Sequence, residues 1–195
     1  MEVLTEYGPT RMTMAEVARR ASVSRMTVYR RYRSLDALIS AVLTAEMAEV
    51  VAEVASRTDA GTTARQRVVA ASVAVVSALG DHTLLQGVLA VDPESLLPLL
   101  VERIGSGQRM LRDYVAVVLE SGMAGLGGDG SVREGDPRLL ALTIVTIAQP
   151  FVVGMRPLEQ EYPADRLLAE LAAAIDGYLT TEPDNRKVDP DGELT

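Results

Sequence analysis

The sequence predicts an all-α fold, a small N-terminal head followed by a larger helical body, and three observations carry that expectation. Apolar residues make up 48% of the chain but aromatics only 4%, with Phe151 the single phenylalanine and no tryptophan. Ala, Val, Leu, Ile and Met must therefore fill the interior, which suits helices packed on helices better than a sheet sandwich. Two helix-start signals stand close together near the N-terminus, and beyond them apolar positions recur at spacings of three and four. The 195 residues suffice for one good-sized core, or for a small head plus one larger body.

Met1 to Tyr7 reads as the last turns of a helix, stopped by Gly8 and Pro9. Thr13-Met14-Ala15-Glu16 is a capping box, in which the Thr13 hydroxyl accepts from a first-turn amide and Glu16 reaches back to the cap amide. A short helix is expected from Met14 to about Arg20. Ala21-Ser22-Val23 breaks the pattern, and Ser24 offers a second N-cap for a helix from Arg25 to about Arg31. Leu35, Leu38, Ile39, Val42, Leu43, Met47, Val50, Val51 and Val54 then follow helical spacing, so one long helix should join head to body.

The body reads as helices over about 63–79, ended by Gly80, and about 82–90, followed by one capped by Asp92 with Pro93 in its first position. Another is expected over about 107–121. Residues 122–135 hold six of the chain's 15 glycines and read as a flexible loop, not a phosphate cradle, because no strand precedes them and no lysine lies within. Asp136-Pro137 starts a strongly apolar helix to about Gly154, and a last helix runs over about 163–180. The polar, Pro- and Asp-rich residues 182–195 are expected to be a disordered tail. The expected division is a head over 1–42, a body over 43–181 and this tail.

Cysteine is absent, which excludes disulfides, thiolate metal sites and a cysteine nucleophile. The longest apolar stretch, Leu139 to Val153, is interrupted by Thr143, Thr146, Gln149 and Pro150, and reads as too short and broken for a span of ~20 residues. A soluble cytoplasmic protein without membrane association is expected. No Ser/His/Asp ordering, paired-carboxylate motif or metal-ligand spacing stands out, and the single histidine, His82, reads as a helix-capping or surface residue. Neither an enzyme nor a cofactor is expected.

The net charge of -8 conceals an asymmetry. Residues 1–35 carry seven arginines (11, 19, 20, 25, 30, 31, 33) against Glu2, Glu6 and Glu16, a balance of +4, which leaves -12 for the rest. A basic head on an acidic body is what a chain shows when one end meets a polyanion. Arginines solvating a surface would give the same count, so charge alone does not decide.

The stretch from Thr13 to Leu38, TMAEVARRASVSRMTVYRRYRSLDAL, resembles the helix-turn-helix of the tetracycline-repressor (TetR) family. Val17 and Ala18 stand where the first helix packs on the second, Val23 is the apolar turn residue, and Val28 and Tyr32 anchor the second helix and its exit. Ser24, Thr27 and Tyr29 fall where the family places a small polar residue, Thr and Tyr. Ser22 departs from the family's usual glycine, at a position that often needs a left-handed backbone. Leu35 replaces a common basic residue, for which Arg33 is the substitute. The family's first helix also usually begins before the position of Met1. The resemblance is firm over about residues 2–45 and architectural beyond.

A recognition helix must enter a groove about 12 Å wide with its first turn on base edges. That makes Arg25, Met26 and Thr27 the base-contact candidates, Arg25 for guanine and the other two for a thymine methyl. Tyr29, Arg30, Arg31, Arg33 and the cap hydroxyl of Thr13 are the phosphate candidates; packing in the head's core is the other reading of Tyr29. The resemblance further implies a homodimer through the last two helices, for which Ala169, Leu171, Ala172, Ala173 and Ile175 are the candidates, although alanines there also suit plain helix propensity. It implies a ligand cavity in the body, for which Leu85, Leu89, Met110, Tyr114, Ile147 and Phe151 are candidates, each of which suits ordinary core equally. The function so implied is a ligand-responsive regulator, a repressor released from a palindromic double-stranded operator by a small hydrophobic effector. The competing reading is a constitutive DNA-binding helical protein whose body holds a partner protein and encloses no cavity.

Overall fold

A computed structural model of the chain describes residues 13–57, 62–91 and 106–180. The expected helix over 1–7, the helix capped by Asp92 and the tail from 182 lie outside the described residues. Within them stand eight α-helices: α1 (Met14–Arg20), α2 (Arg25–Arg31), α3 (Leu35–Ser56), α4 (Ala64–Gly80), α5 (Thr83–Val91), α6 (Ser106–Glu120), α7 (Pro137–Leu158) and α8 (Ala164–Leu179). No strand is present among the described residues, and the all-α expectation holds.

Local chemistry starts and stops the head helices. Thr13 Oγ1 accepts from Glu16 N at 3.2 Å and Ser24 Oγ from Thr27 N at 3.1 Å, so each short helix has its N-cap. The Glu16 carboxylate departs from the expected box: it binds the guanidinium groups of Arg19 and Arg20, three and four residues on. Between the helices Ser22 has φ 56°, the only positive value among described non-glycine residues. Val23 N bonds Ala18 O at 3.0 Å and Ser22 N bonds Arg19 O at 3.3 Å, the paired bonds that end a helix through one left-handed residue.

Met14, Ala18, Val28 and Leu38 form the head's core. A second cluster joins Ile39 of α3 to Leu84 and Val88 of α5. Val17, Leu35 and Val42 pack on both clusters, so the head is seated on the α3–α5 joint. α3 itself runs unbroken across the expected 42/43 boundary.

The body's main core is built from α4, α6, α7 and α8, around the fully buried Val76, Leu119, Ile144, Leu171, Ile175 and Leu179. α4 packs on α3, α6, α7 and α8, and turns into α5 through a 57° bend at Asp81 and His82. α7 is longer than expected. It continues through Pro150 to Leu158 and, by length and composition, is apolar enough to cross a membrane. It packs against α4, α6 and α8, yet only 22% of its most apolar window is buried in the single chain.

The glycine-rich segment between α6 and α7 corrects the expectation of a flexible loop. Met123 and Val132 are bridged and wholly inside the main core, with a 3-10 turn over Ala124–Leu126 between them. Gly122 is required there, because a Cβ would lie 2.4 Å from Val132 Cγ2 and 2.7 Å from Ala64 Cβ. The loop also completes the N-terminus of α4, where all four leading donors are accounted for. Thr63 N reaches Gln66 Oε1 at 3.0 Å, Ala64 N reaches Asp129 Oδ2 at 2.8 Å, Arg65 N reaches Ser131 Oγ at 3.2 Å, and Gln66 N reaches Thr63 Oγ1 at 3.3 Å. Hydrogen bonds from Ser131 and then from Ala64 N hold the Asp129 carboxyl below the usual range, as expected for an anion at a helix start.

Replacing Ser22 by Gly removes the side chain from a left-handed position at some cost in unfolded-state entropy, for a net gain of about 0.5–1 kcal/mol. Thermal unfolding of Ser22→Gly should rise by about 2 °C, and an unchanged or lower midpoint would show that the turn is not strained.

Candidate nucleic-acid interface and cavity

α2 is presented outward. Of its seven residues only Val28 is buried, and Arg25, Met26, Thr27, Tyr29, Arg30 and Arg31 are exposed. Met26 is 76% and Tyr29 53% accessible, which removes the reading of Tyr29 as a core residue. Thr27 Oγ1 lies 2.7 Å from Ser24 Oγ, so its hydroxyl is turned to the cap and its methyl is the part left for a partner. Arg31 stands over the Tyr32 ring at 5.9 Å from its centroid.

The head's arginines divide into two sets. Arg19 and Arg20 are committed to Glu16, whose carboxyl they hold down at about 2, Arg19 contributing most. Arg25, Arg30 and Arg33 form no ion pair among the described residues and are exposed. The cationic surface of the head therefore belongs to α2 and its exit, the same side that carries Tyr29. Thr13, exposed at the start of α1, accepts from Glu16 N and keeps its hydroxyl proton to donate.

The body holds a partly open cavity of about 510 Å³ between α3, α4, α6, α7 and the α4–α5 corner. Its walls are mostly aliphatic, with Met47, Val51, Ala71, Leu111, Val145 and Val152 typical of the surface offered. Two polar pairs interrupt them: His82 Nε2 lies 3.2 Å from Glu46 Oε2, and Gln108 Nε2 donates to Gln149 Oε1 at 2.7 Å. His82 directly precedes α5, its carbonyl accepting from Gln86 N at 3.0 Å as a cap residue's does, but its side chain is half-buried on the cavity wall and not on the surface.

Of the six residues nominated for this lining, Leu85 and Tyr114 take part. Leu89 packs into the α3–α5 joint, Ile147 and Phe151 pack on the main core, and Met110 is half-buried outside the lining. The error is one of helix phase: on α7 the lining positions are 144, 145, 148, 149, 152 and 153, and on α6 they include 108, 111, 114, 115 and 118. Sequence reasoning also missed the large share of α3 and α4. The signal was present in the recurring Leu43, Met47, Val51 and Val54, which read equally well as the packing stripe of a connecting helix.

The nominated dimer residues separate as well. Ala169 and Ala173 are exposed on α8 and Ala172 is half-buried. Leu171 and Ile175 are fully buried in their own chain's core, so they supply fold and not intersubunit area, a correction that again follows from which side of α8 meets α4 and α7. On α7, Leu139 is 60% accessible and Thr146 and Pro150 are exposed.

Comparison with known proteins agrees with this architecture. The sequence profile described as bacterial regulatory proteins, tetR family, matches residues 1–42. An uncharacterized HTH-type transcriptional regulator of Mycobacterium tuberculosis is 34% identical over 176 residues, covering 90% of this chain and 88% of its own length. A Mycobacterium bovis regulator of the same description matches to the same extent. Among solved structures, the Rhodococcus erythropolis transcriptional repressor QsdR from the TetR family superposes with a TM-score of 0.65 at 20% identity, covering 87% of this chain and 86% of that one. The TetR family repressor AlkX from Dietzia sp. strain DQ12-45-1b, implicated in biodegradation of n-alkanes, superposes with a TM-score of 0.61 at 19% identity, covering 91% and 89%. These two likenesses are likenesses of fold.

Ala71→Phe should fill part of the cavity while leaving the helix content, read by circular dichroism, unchanged. An uncharged naphthylamine dye whose emission rises in apolar surroundings should then bind at least about tenfold more weakly than to the wild type. Equal affinity would mean that the dye does not use this space.

Proposed function

The chain belongs to the TetR family of DNA-binding transcriptional regulators, and from that premise we propose that it is a ligand-responsive repressor. In this reading a homodimer binds a palindromic operator and lets go when a small, mainly apolar effector enters the body. The observation that carries it is the long helix α3, which seats the head through Leu35, Leu38 and Ile39 and lines the 510 Å³ cavity through Leu43, Met47 and Val51. A partner-binding body without an effector has no use for such a space, and the volume lies in the range of small-molecule sites.

On DNA, α2 enters the major groove. Arg25 takes a guanine edge, while Met26 and the Thr27 methyl meet thymine methyls. Tyr29, Arg30, Arg31, Arg33 and the Thr13 hydroxyl bind phosphates and fix the register. Regulation takes place in the cytoplasm, where the operator is. The dimer forms through α7 and α8. Support comes from the poor burial of the apolar α7, from Leu139, and from the small exposed residues Ala169 and Ala173, which allow helices a close approach. A two-fold axis then sets two heads on half-sites ~34–36 Å apart.

Selection from a random duplex pool should return an inverted repeat. Against it, Arg25→Ala should cost about 1–3 kcal/mol at one base pair per half-site and relax preference there, whereas Tyr29→Phe should weaken all duplexes alike. Retention of wild-type affinity and preference by both variants would refute this docking. Ala173→Glu, placed on the proposed two-fold face, should sediment as a monomer where the wild type sediments as a dimer. A monomeric wild type, or a variant that stays dimeric, would move the interface elsewhere.

A further inference from the structure

We propose that the cavity is shaped for a lipophilic amine whose ammonium group is taken by Glu46, and that its capture opens the Glu46–His82 pair that ties α3 to α5. This rests on the effector reading above and adds the chemistry of the ligand and the first contact it changes.

The inventory of polar groups on the cavity wall leads to Glu46. Arg67 lines the space, but its guanidinium is turned to the opposite purpose, donating to Thr62 O at 2.6 Å and to Ser121 Oγ at 3.0 Å. Ser72 Oγ donates back to Val68 O and Thr44 Oγ1 to Ser40 O, so both hydroxyls serve their own helix. Gln108 and Gln149 satisfy one another. Glu46 is the one carboxylate among the described lining residues, only 19% accessible, and its partner is His82, 21% accessible, whose Nε2 lies 3.2 Å from Oε2. A carboxylate accepts several hydrogen bonds, and one facing aliphatic walls is costly to leave with a single partner. A cationic donor on an otherwise apolar molecule supplies what is lacking. A ligand carboxylate placed beside Glu46 meets like charge.

The position of the pair turns recognition into movement. Glu46 lies two turns along α3 from Ile39, and His82 immediately precedes α5, whose Leu84 and Val88 share the joint with Ile39 beneath the head. An ammonium drawn to Glu46 competes with His82 for the carboxylate and, by drawing it into the cavity, loosens the polar tie between these two elements. Gln86, one turn beyond His82, is buried with its Nε2 donor unpartnered among the described residues, a polar cost that α5 carries in this position.

The test uses the untagged full chain and three probes of equal chain length, decylamine, decanol and decanoate, below their micelle concentrations and read by calorimetric titration. Decylamine should bind at least about tenfold more tightly than decanoate. Glu46→Gln should bring the two within about twofold, whereas Glu170→Gln, an exposed acid on α8, should leave the discrimination intact and so exclude general attraction to an acidic protein. His82 is the only histidine, so its ring signals in NMR are uncrowded; decylamine should move them in the wild type and leave them in place in Glu46→Gln. Equal binding of amine and carboxylate, or discrimination that survives Glu46→Gln, overturns the amine proposal alone. Binding of none of the three overturns the effector cavity and this proposal with it.

Discussion

The seam made by Val17, Leu35 and Val42 governs the rest of the structure, because these three side chains belong to two packed clusters at once. On one side they close the head's small core around Ala18 and Val28. On the other they seat that core on Ile39, Leu84 and Val88 of the α3–α5 joint. A head of this size buries too little apolar surface to stand alone, and each shared, half-buried side chain adds roughly 1–2 kcal/mol to the common structure. The head's orientation is consequently a property of the joint. A shift of α3 against α5 must either carry the head along or open the seam, since close-packed interiors have few intermediate arrangements.

The cavity lies on the same long helix, farther along. α3 meets the head at Leu35, Leu38 and Val42 and lines the cavity between Ser40 and Val54. A rigid helix with packing at one end and an adjustable space at the other is a lever, and a coupling of about 1–3 kcal/mol between the two ends is enough for a 5- to 150-fold change in affinity. The opposite wall, built from α4, α6 and α7, stands on the main core and does not share this freedom. Its foundations are polar as well as apolar. The N-terminal donors of α4 are met by its own capping box and by the Asp129–Ser131 loop, while Arg65 reaches Asp176 and Thr180 at the end of α8. Arg133 in turn caps that end, bonding Tyr178 O at 2.9 Å with its guanidinium 4.6 Å from the Tyr178 ring centroid.

Much of this could be read in advance and some could not, and the division follows the range of the forces. The short helices of the head, their caps at Thr13 and Ser24 and the left-handed Ser22 were legible because each rests on contacts within a few residues. The identity of the outward helix was legible through the resemblance of residues 13–38 to the TetR helix-turn-helix, which implied Val28 as its anchor. Glycine content misled over residues 122–135, because composition registers backbone freedom and not the long-range contacts of Met123 and Val132 that use it. His82 looked isolated because Glu46 is distant in sequence and meets it only when α4 turns by 57° into α5.

By itself the sequence determined the helical class and the order and approximate bounds of the helices, which depend on local hydrogen bonding and on a repeat of 3.6 residues, while the outward, cationic, tyrosine-bearing helix was legible through its likeness to a known motif. Only the tertiary structure decided which side of each body helix faces the cavity, the core or the outside. The physical reason is that an apolar stripe specifies burial without specifying against what. One step of about 100° around α7 separates Ile147, which packs on the core alone, from Ala148, which also lines the cavity, and around α8 the same step separates buried Leu171 and Ile175 from half-buried Ala172 and Asp176.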